Sequence, residues 1–189
     1  VSGAVLDLSP DEFRRQFEVN VIAPIVATQA FAPLLGTDAS LRGTPGRIVM
    51  MSSIAGKFGN PLMAAYSASK HALNGLSEGL RREMMLFGIE VVIIAPGAVK
   101  TPIWGKAEQE DISRYANSPF YPALRKLVAL LPEMDASGLP AEAEQTAFLT
   151  EALKARGKRP VMVFIHGGYW RSLDKSRSEE RRVGKECRS

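Results

Sequence analysis

Cysteine is almost missing from this 189-residue chain: the one thiol is Cys187, so no internal disulfide can form and secretion gains no support. Nor is there a run of about 18 purely apolar residues to read as a membrane span. The first ten residues lack the basic stretch followed by an apolar one that marks a secretory leader, so a cytoplasmic setting is expected. Val1 stands where a start methionine would, and the expectation is that the true beginning lies upstream. Aromatics are sparse at 7%, and the excess of positive charge is misplaced for nucleic-acid binding. Residues 1–153 carry 13 Lys/Arg against 16 Asp/Glu, whereas 154–189 carry 11 against 4. The formal charge of +4 therefore belongs to the tail, and a nucleic-acid partner is not expected. No metal site is assigned.

What remains is the composition of a globular protein, 46% hydrophobic and 23% charged, in a chain long enough for one domain. Ser9 reads as an N-cap, Pro10 suits the first helical position, and Glu12 completes a capping box. Phe13, Phe17, Val21, Ile25, Ala27 and Phe31 then supply an apolar stripe at helical period, with a kink expected at Pro24. After a loop over 36–46, the run RIVMM at 47–51 looks like a buried parallel strand. A long helical pattern follows over 63–87, and EVVIIA at 90–95 is a second buried strand, stopped by Pro96-Gly97. Alternation of helix and strand with short loops implies a parallel sheet with right-handed crossovers. Ligands collect at the carboxyl ends of such strands, so Ser53 and Pro96 should share one rim. Beyond Pro102 the chain turns helical and irregular, with Leu124, Leu127, Val128 and Leu131 on one face; Gly138–Pro140 breaks it. A helix over 141–156 and a third strand over 161–165 are expected.

Tyr66 and Lys70 lie four apart on the second helix, about 6 Å apart along its axis. A phenol near pKa 10 is a poor acid or base at neutral pH, and a neighbouring ammonium should lower it by roughly one to three units. A hydroxyl such as Ser53 could hold a substrate oxygen beside Tyr66. That trio suits moving a proton at an oxygen while hydride moves at the adjoining carbon. By itself a Tyr–Lys pair at this spacing also fits an ordinary solvated helix face.

The wider pattern is more specific. Tyr66-Ser67-Ala68-Ser69-Lys70, preceded by Met51-Ser52-Ser53-Ile54-Ala55-Gly56, resembles the short-chain dehydrogenase/reductase family. So do Phe17-Glu18-Val19-Asn20-Val21 in the first helix and Pro96-Gly97-Ala98-Val99-Lys100-Thr101 after the second strand. The resemblance covers roughly residues 1–140. It implies a catalytic tetrad: Tyr66 as acid/base, Lys70 lowering its pKa and bonding the nicotinamide ribose, Ser53 orienting the substrate oxygen, and Asn20 holding a relay water. It also implies that the backbone near Val99 and the Thr101 hydroxyl meet the carboxamide of NAD or NADP, with Pro96-Gly97 passing close to the ring. Residues 103–134 match the family's variable substrate segment in position. Ile103, Trp104, Phe120, Tyr121 and Leu124 suit an apolar alcohol or carbonyl, or simple core packing. Helices at 9–35 and 63–87 resemble those that pair across subunits, so a homo-oligomer is expected of the complete parent.

The family normally opens with a strand, a Gly-rich turn and a helix that meets the pyrophosphate. No Gly-x-x-x-Gly-x-Gly turn occurs here. The expected fold class is therefore α/β, the C-terminal half of a Rossmann-like parallel sheet flanked by helices, an incomplete domain with doubtful activity by itself. At the other end, Val163 to Arg171 (VFIHGGYWR), within a stretch at 158–176, resembles the oxyanion-hole segment of kynurenine formamidase-like α/β-hydrolases. Residues 141–157 then form a junction of uncertain origin, and 177–189 (RSEERRVGKECRS) resembles a translated sequencing adapter, expected to be disordered. Gly75-Leu76-Ser77-Glu78-Gly79 fits a nucleophile pattern but sits in a helical stretch, where an elbow cannot lie. A hydrolase-like esterase fragment and a non-catalytic interaction fragment stand as the alternatives.

Overall fold

The computed structural model describes residues 2–41, 43–109, 111–140 and 161–164. The helix expected over 141–156, the His-Gly-Gly turn at 166–168 and the adapter-like tail lie outside the described residues.

The first helical segment is long and interrupted by wider turns. Helix α1 spans Pro10–Phe17, a π turn follows over Glu18–Ile22, α2 spans Ala23–Ala32, and a second π turn covers Pro33–Thr37. The capping box forms as expected, with Glu12 N–H donating to Ser9 Oγ and Ser9 N–H to the Glu12 carboxylate at 2.8 Å. Where a kink was expected at Pro24, the helix runs on. The Ala23 N–H reaches back five residues to the Glu18 carbonyl. The wide turn thus falls just before the proline, which has no N–H to offer the Asn20 carbonyl in α-helical fashion.

The buried face of this helix also differs from expectation. The buried residues are Gln16, Asn20, Pro24 and Thr28, four apart in sequence, while Phe31 is half exposed. The apolar stripe points partly outward because the inner side meets a polar face of the next long helix. By length and composition alone Pro10–Thr37 is long and apolar enough to cross a membrane, with a mean hydropathy of 1.5 in its best window. It is nonetheless not a run of purely apolar residues, since Asn20, Pro24, Thr28 and Gln29 are scattered through it.

Strand β1, Arg47–Met51, pairs in parallel with β2, Glu90–Ile94, in register Arg47 to Glu90 through Met51 to Ile94. Between them runs α3, Ala64–Met84, as the periodicity predicts, closed by a short 3-10 turn over Met85–Phe87. Gly88 then turns the chain with φ of 67°, a left-handed conformation that costs glycine nothing. Alternation along the strands divides the core. Ile48, Met50 and Val91 face one side with Leu35, Leu73 and Ile89, while Val49 and Ile94 face the other with Met51 and Val92. Each such apolar side chain stabilises the fold by about 1.5–3 kcal/mol when fully buried.

Past β2 come β3, Val99–Lys100, then α4, Ile103–Glu108, a 3-10 turn over Ser113–Tyr115, and α5, Tyr121–Ser137. Leu124 and Leu131 are buried on α5, with Leu127 and Val128 half-buried beside them, as the amphipathic pattern predicts. A short β4, Leu139–Pro140, which the sequence did not suggest, pairs in parallel with β3. The third strand candidate becomes β5, Val161–Phe164, parallel to β1 on the side opposite β2. This makes β1 the central strand.

Candidate functional site

The carboxyl ends of β1 and β2 are stitched together. Ser52 N–H donates to the Ile94 carbonyl at 2.7 Å and Ile54 N–H to the Pro96 carbonyl at 2.9 Å. Ser53 and Pro96 therefore do share one rim. Ser53 caps the 3-10 turn Ile54–Gly56, its Oγ accepting from Ala55 N–H at 3.1 Å. The turn lies hard against α3. A Cβ at Gly56 would sit 2.7 Å from Asn74 Nδ2, 2.9 Å from Ser52 Oγ and 3.0 Å from the Lys70 carbonyl, so only glycine permits this approach. Asn74 Nδ2 donates to the Gly56 carbonyl at 3.0 Å and fixes it there.

Packing this turn on α3 places Ser53 against Tyr66, and the two side chains share a hydrogen bond. Lys70, one turn along, is 1% exposed, with its Nζ 5.7 Å from the centre of the Tyr66 ring. Its ammonium donates to the Met51 carbonyl at the end of β1 at 2.9 Å. Ser53, Tyr66 and Lys70 are thus brought into one cluster, as the sequence predicts.

The electrostatics depart from expectation. Burial raises the Tyr66 phenol above its ordinary value of 10.0, and the hydrogen bond from Ser53 only partly opposes this. Burial likewise lowers the Lys70 ammonium from 10.5 to about 8. The expected lowering of Tyr66 by Lys70 does not occur here. Both charged forms are penalised by desolvation, and the ammonium is held by the Met51 carbonyl rather than by the phenol. In this state the pair at neutral pH is a protonated phenol beside a charged lysine.

Asn20 joins the cluster indirectly. It is fully buried, and its Nδ2 donates to Ser69 Oγ at 2.8 Å, next to Lys70 in the chain. Its Oδ1 has no hydrogen-bond partner among the described residues. The remaining predicted residues line the exit from β2. Pro96 is half-buried and Gly97 exposed, and a Cβ added at Gly97 would meet nothing within 4 Å. Open space beside that backbone fits a planar ring lying along this edge. The Val99 carbonyl, however, already accepts from Trp104 Nε1 at 2.7 Å. Thr101 is half-buried and opens the turn into α4.

Of the candidate substrate residues, Leu124 belongs to packing at 3% exposed, and Trp104 pins β3 to α4. Phe120 is 37% exposed. Sequence reasoning missed Ser69, Asn74 and Tyr115. The Tyr115 hydroxyl donates to the Ser2 carbonyl at 3.0 Å, tying the variable segment to the start of the chain; Ser118 Oγ does the same to Asp7 at 2.6 Å. Buried polar residues on the inner helix faces were the available signal. Ser77 is fully buried in α3 with its hydroxyl on the Leu73 carbonyl at 2.7 Å, the geometry of a helix interior and not of a nucleophile elbow.

The description "short chain dehydrogenase" matches residues 1–112 of the chain. An NADPH-dependent 3-dehydrocapnine reductase of Ornithobacterium rhinotracheale is 37% identical over 158 residues, 82% of this chain and 55% of that protein. That alignment necessarily runs past residue 140, into the stretch whose origin the motifs left open. A short-chain dehydrogenase from Streptomyces avermitilis is 30% identical with a TM-score of 0.58, over 86% of this chain and 55% of its own. One from Burkholderia phymatum, solved with NAD, has a TM-score of 0.62 at 22% identity over 86% of this chain and 56% of its own, which speaks for the fold alone. The chain spans about half the length of these relatives.

Proposed function

The chain belongs to the short-chain dehydrogenase family, and from that premise we propose that residues 1–140 form the ring-side half of a nicotinamide-dependent oxidoreductase site that interconverts an alcohol and its carbonyl. The observation that supports this reading most is the cluster of Ser53, Tyr66 and Lys70 at the carboxyl rim of β1 and β2.

Each residue then has a role that its surroundings suit. Ser53 Oγ accepts from Ala55 N–H and shares a hydrogen bond with the phenol, so a substrate oxygen entering between them would be held by both hydroxyls. Tyr66, kept protonated by burial, is the proton donor to a carbonyl oxygen. Lys70 supplies positive charge that stabilises the phenolate left behind, worth more in a buried site than in water. Asn20 and Lys70 are the groups through which the proton is replenished. NAD or NADP, when bound, supplies or accepts the hydride at the substrate carbon. Lys70, the Pro96-Gly97 edge, Val99 and Thr101 are the residues that would hold its nicotinamide half, with the Val99 carbonyl already committed to Trp104.

The sequence holds no Gly-rich phosphate turn of the family kind. Dinucleotide affinity would then rest on the ring-side residues alone, and we expect weak binding and slow or absent turnover by this chain in isolation. The substrate class is a small apolar alcohol or carbonyl, which the half-buried Ile103, Trp104 and Tyr121 and the exposed Phe120 suit. Self-association through the outward apolar side of α2 and its flanking π turns is part of the same reading, since Ile22, Val26, Phe31 and Leu34 are 42–63% exposed. The test is Tyr66→Phe in the chain joined to a family cofactor-binding half, assayed by nicotinamide absorbance against a panel of apolar ketones, alongside a circular dichroism check of folding. Loss of hydride transfer in a folded variant is expected; near-normal turnover would sink the mechanism.

A further inference from the structure

The segment that carries Ser53 is tied to β2 on one side and to α3 on the other, and the two attachments differ. On the β2 side, Ser52 and Ile54 donate their N–H groups to the Ile94 and Pro96 carbonyls. Those bonds keep the rim beside β2 but leave its distance from α3 open. On the α3 side, two side-chain donors reach backbone carbonyls that flank Ser53. Lys70 Nζ donates to the Met51 carbonyl at 2.9 Å, and Asn74 Nδ2 to the Gly56 carbonyl at 3.0 Å. Tyr66, Lys70 and Asn74 are spaced four apart within α3, so they follow one another along one face of it. The phenol and both anchors of the Ser53 segment thus belong to the same stripe.

Asn74 gains little stability from its place. Its Oδ1 is buried with no hydrogen-bond partner among the described residues, and an unpaired buried acceptor costs at least what one ordinary hydrogen bond contributes. Leucine has nearly the same shape. It would remove that orphaned oxygen while orphaning the buried Gly56 carbonyl, an exchange of one unpaired acceptor for another. What leucine cannot do is hold that carbonyl against the helix.

We propose that Asn74 is a positioning residue that, together with Lys70, clamps the 51–56 segment to α3 and so keeps the Ser53 hydroxyl within hydrogen-bonding reach of the Tyr66 phenol. Its use in catalysis rests on the oxidoreductase reading above; the clamp itself does not. Without the Asn74 amide, the Gly56 carbonyl turns toward water and the turn capped by Ser53 lifts with it.

The phenol itself reports the outcome. In the full chain, isotope-labelled at tyrosine Cζ, the Tyr66 resonance is identified by its loss in Tyr66→Phe. Asn74→Leu is expected to move that resonance in the same direction as Ser53→Ala, with Tyr115 unmoved and the urea midpoint close to the parent's. A Tyr66 resonance that stays at the parent's position overturns the clamp. Should leucine overpack the site and unfold the chain, Asn74→Ala is read in the same way; loss of the fold in both overturns the proposal, because the residue then serves stability and not position. In the chain joined to a family cofactor-binding half, Asn74→Leu is expected to lower kcat for ketone reduction about tenfold with KM for NADPH unchanged. An undiminished kcat there, while Tyr66→Phe is inactive, overturns the positioning role and leaves the oxidoreductase reading intact. If Tyr66→Phe keeps its turnover, the oxidoreductase reading fails, and the Tyr66 resonance still decides the clamp.

Discussion

Lys70 should make the stability of this protein rise with pH over a window where most proteins are flat. Its ammonium is 1% exposed and titrates at about 8 in the folded chain, against 10.5 as its ordinary value. Between those values the unfolded chain holds the proton and the folded chain has released it. Raising pH therefore draws the equilibrium toward the folded state, at about 1.4 kcal/mol per pH unit. Below about pH 8 the cost of burying the charge is fully present. The useful window ends near pH 9.5, before Tyr66 can contribute, because a phenol raised above 10 has the opposite sign and loses stability as pH climbs through its ordinary value. From pH 8 to about 9.5 the gain is roughly 2 kcal/mol, or about 4–8 °C in Tm for a chain this size. The assay is urea denaturation at half-unit intervals for the parent and for Lys70→Met, which keeps the apolar length and removes the titrating group. The difference between the two curves cancels every other ionisation. That difference, parent minus Lys70→Met, should rise across the window. A difference that is constant from pH 7 to 9.5 would refute the argument, since the ammonium would then titrate alike in both states.

Other perturbations have expected outcomes of their own. Gly56→Ala forces a Cβ to within 3.0 Å of the Lys70 carbonyl and closer still to Asn74 and Ser52; it should cost about 1–3 kcal/mol in urea denaturation and detach the Ser53 turn, and an unchanged midpoint would show that the turn yields freely. Leu73→Ala, in the centre of the β1–β2–α3 core, should cost about 2–5 kcal/mol by the same measurement. Leu62 adopts φ of 62°, so Leu62→Gly should cost little or stabilise by up to about 1 kcal/mol; a loss above 2 kcal/mol would mean that its side-chain packing outweighs the strain. If the oxidoreductase reading holds, carbonyl reduction should decline as pH rises through about 8, where Lys70 loses the charge that stabilises the phenolate, and a flat profile to pH 9.5 would contradict that role.

The elements that were legible in the sequence are those where local signals agree. Ser9 and Glu12 wrote the start of α1, and β1 and α3 fall within a residue or three of their expected bounds because apolar runs and turn residues coincide there. The rim shared by Ser53 and Pro96 followed from parallel topology alone. Three things were not legible. The inward face of the first helix is polar because it answers Ser69 on α3, a partner 49 positions away that periodicity cannot see. The direction of the Tyr66 shift depends on burial against charge, and spacing supplies the charge but not the burial. The anchoring of Tyr115 to Ser2 joins residues 113 apart, with no local signature at either.

The π turn at Glu18–Ile22 bears on how this chain can change by length and not only by substitution. Each residue in a helix turns the chain by about 100°, and a π turn holds one residue more than the α turn it replaces. Removing any single residue between Glu18 and Ile22 would draw the helix toward regular α geometry, although Pro24 would still offer no N–H to the carbonyl four residues before it and its ring would crowd that carbonyl. The same deletion would swing α1, with its capping box and Gln16, by about a quarter-turn relative to α2. Asn20, or whatever then stood at its level, would face a different neighbour than Ser69. A scan of one-residue deletions across Pro10–Thr37 should therefore show the π turn as the place where the helix becomes more regular and the site comes apart.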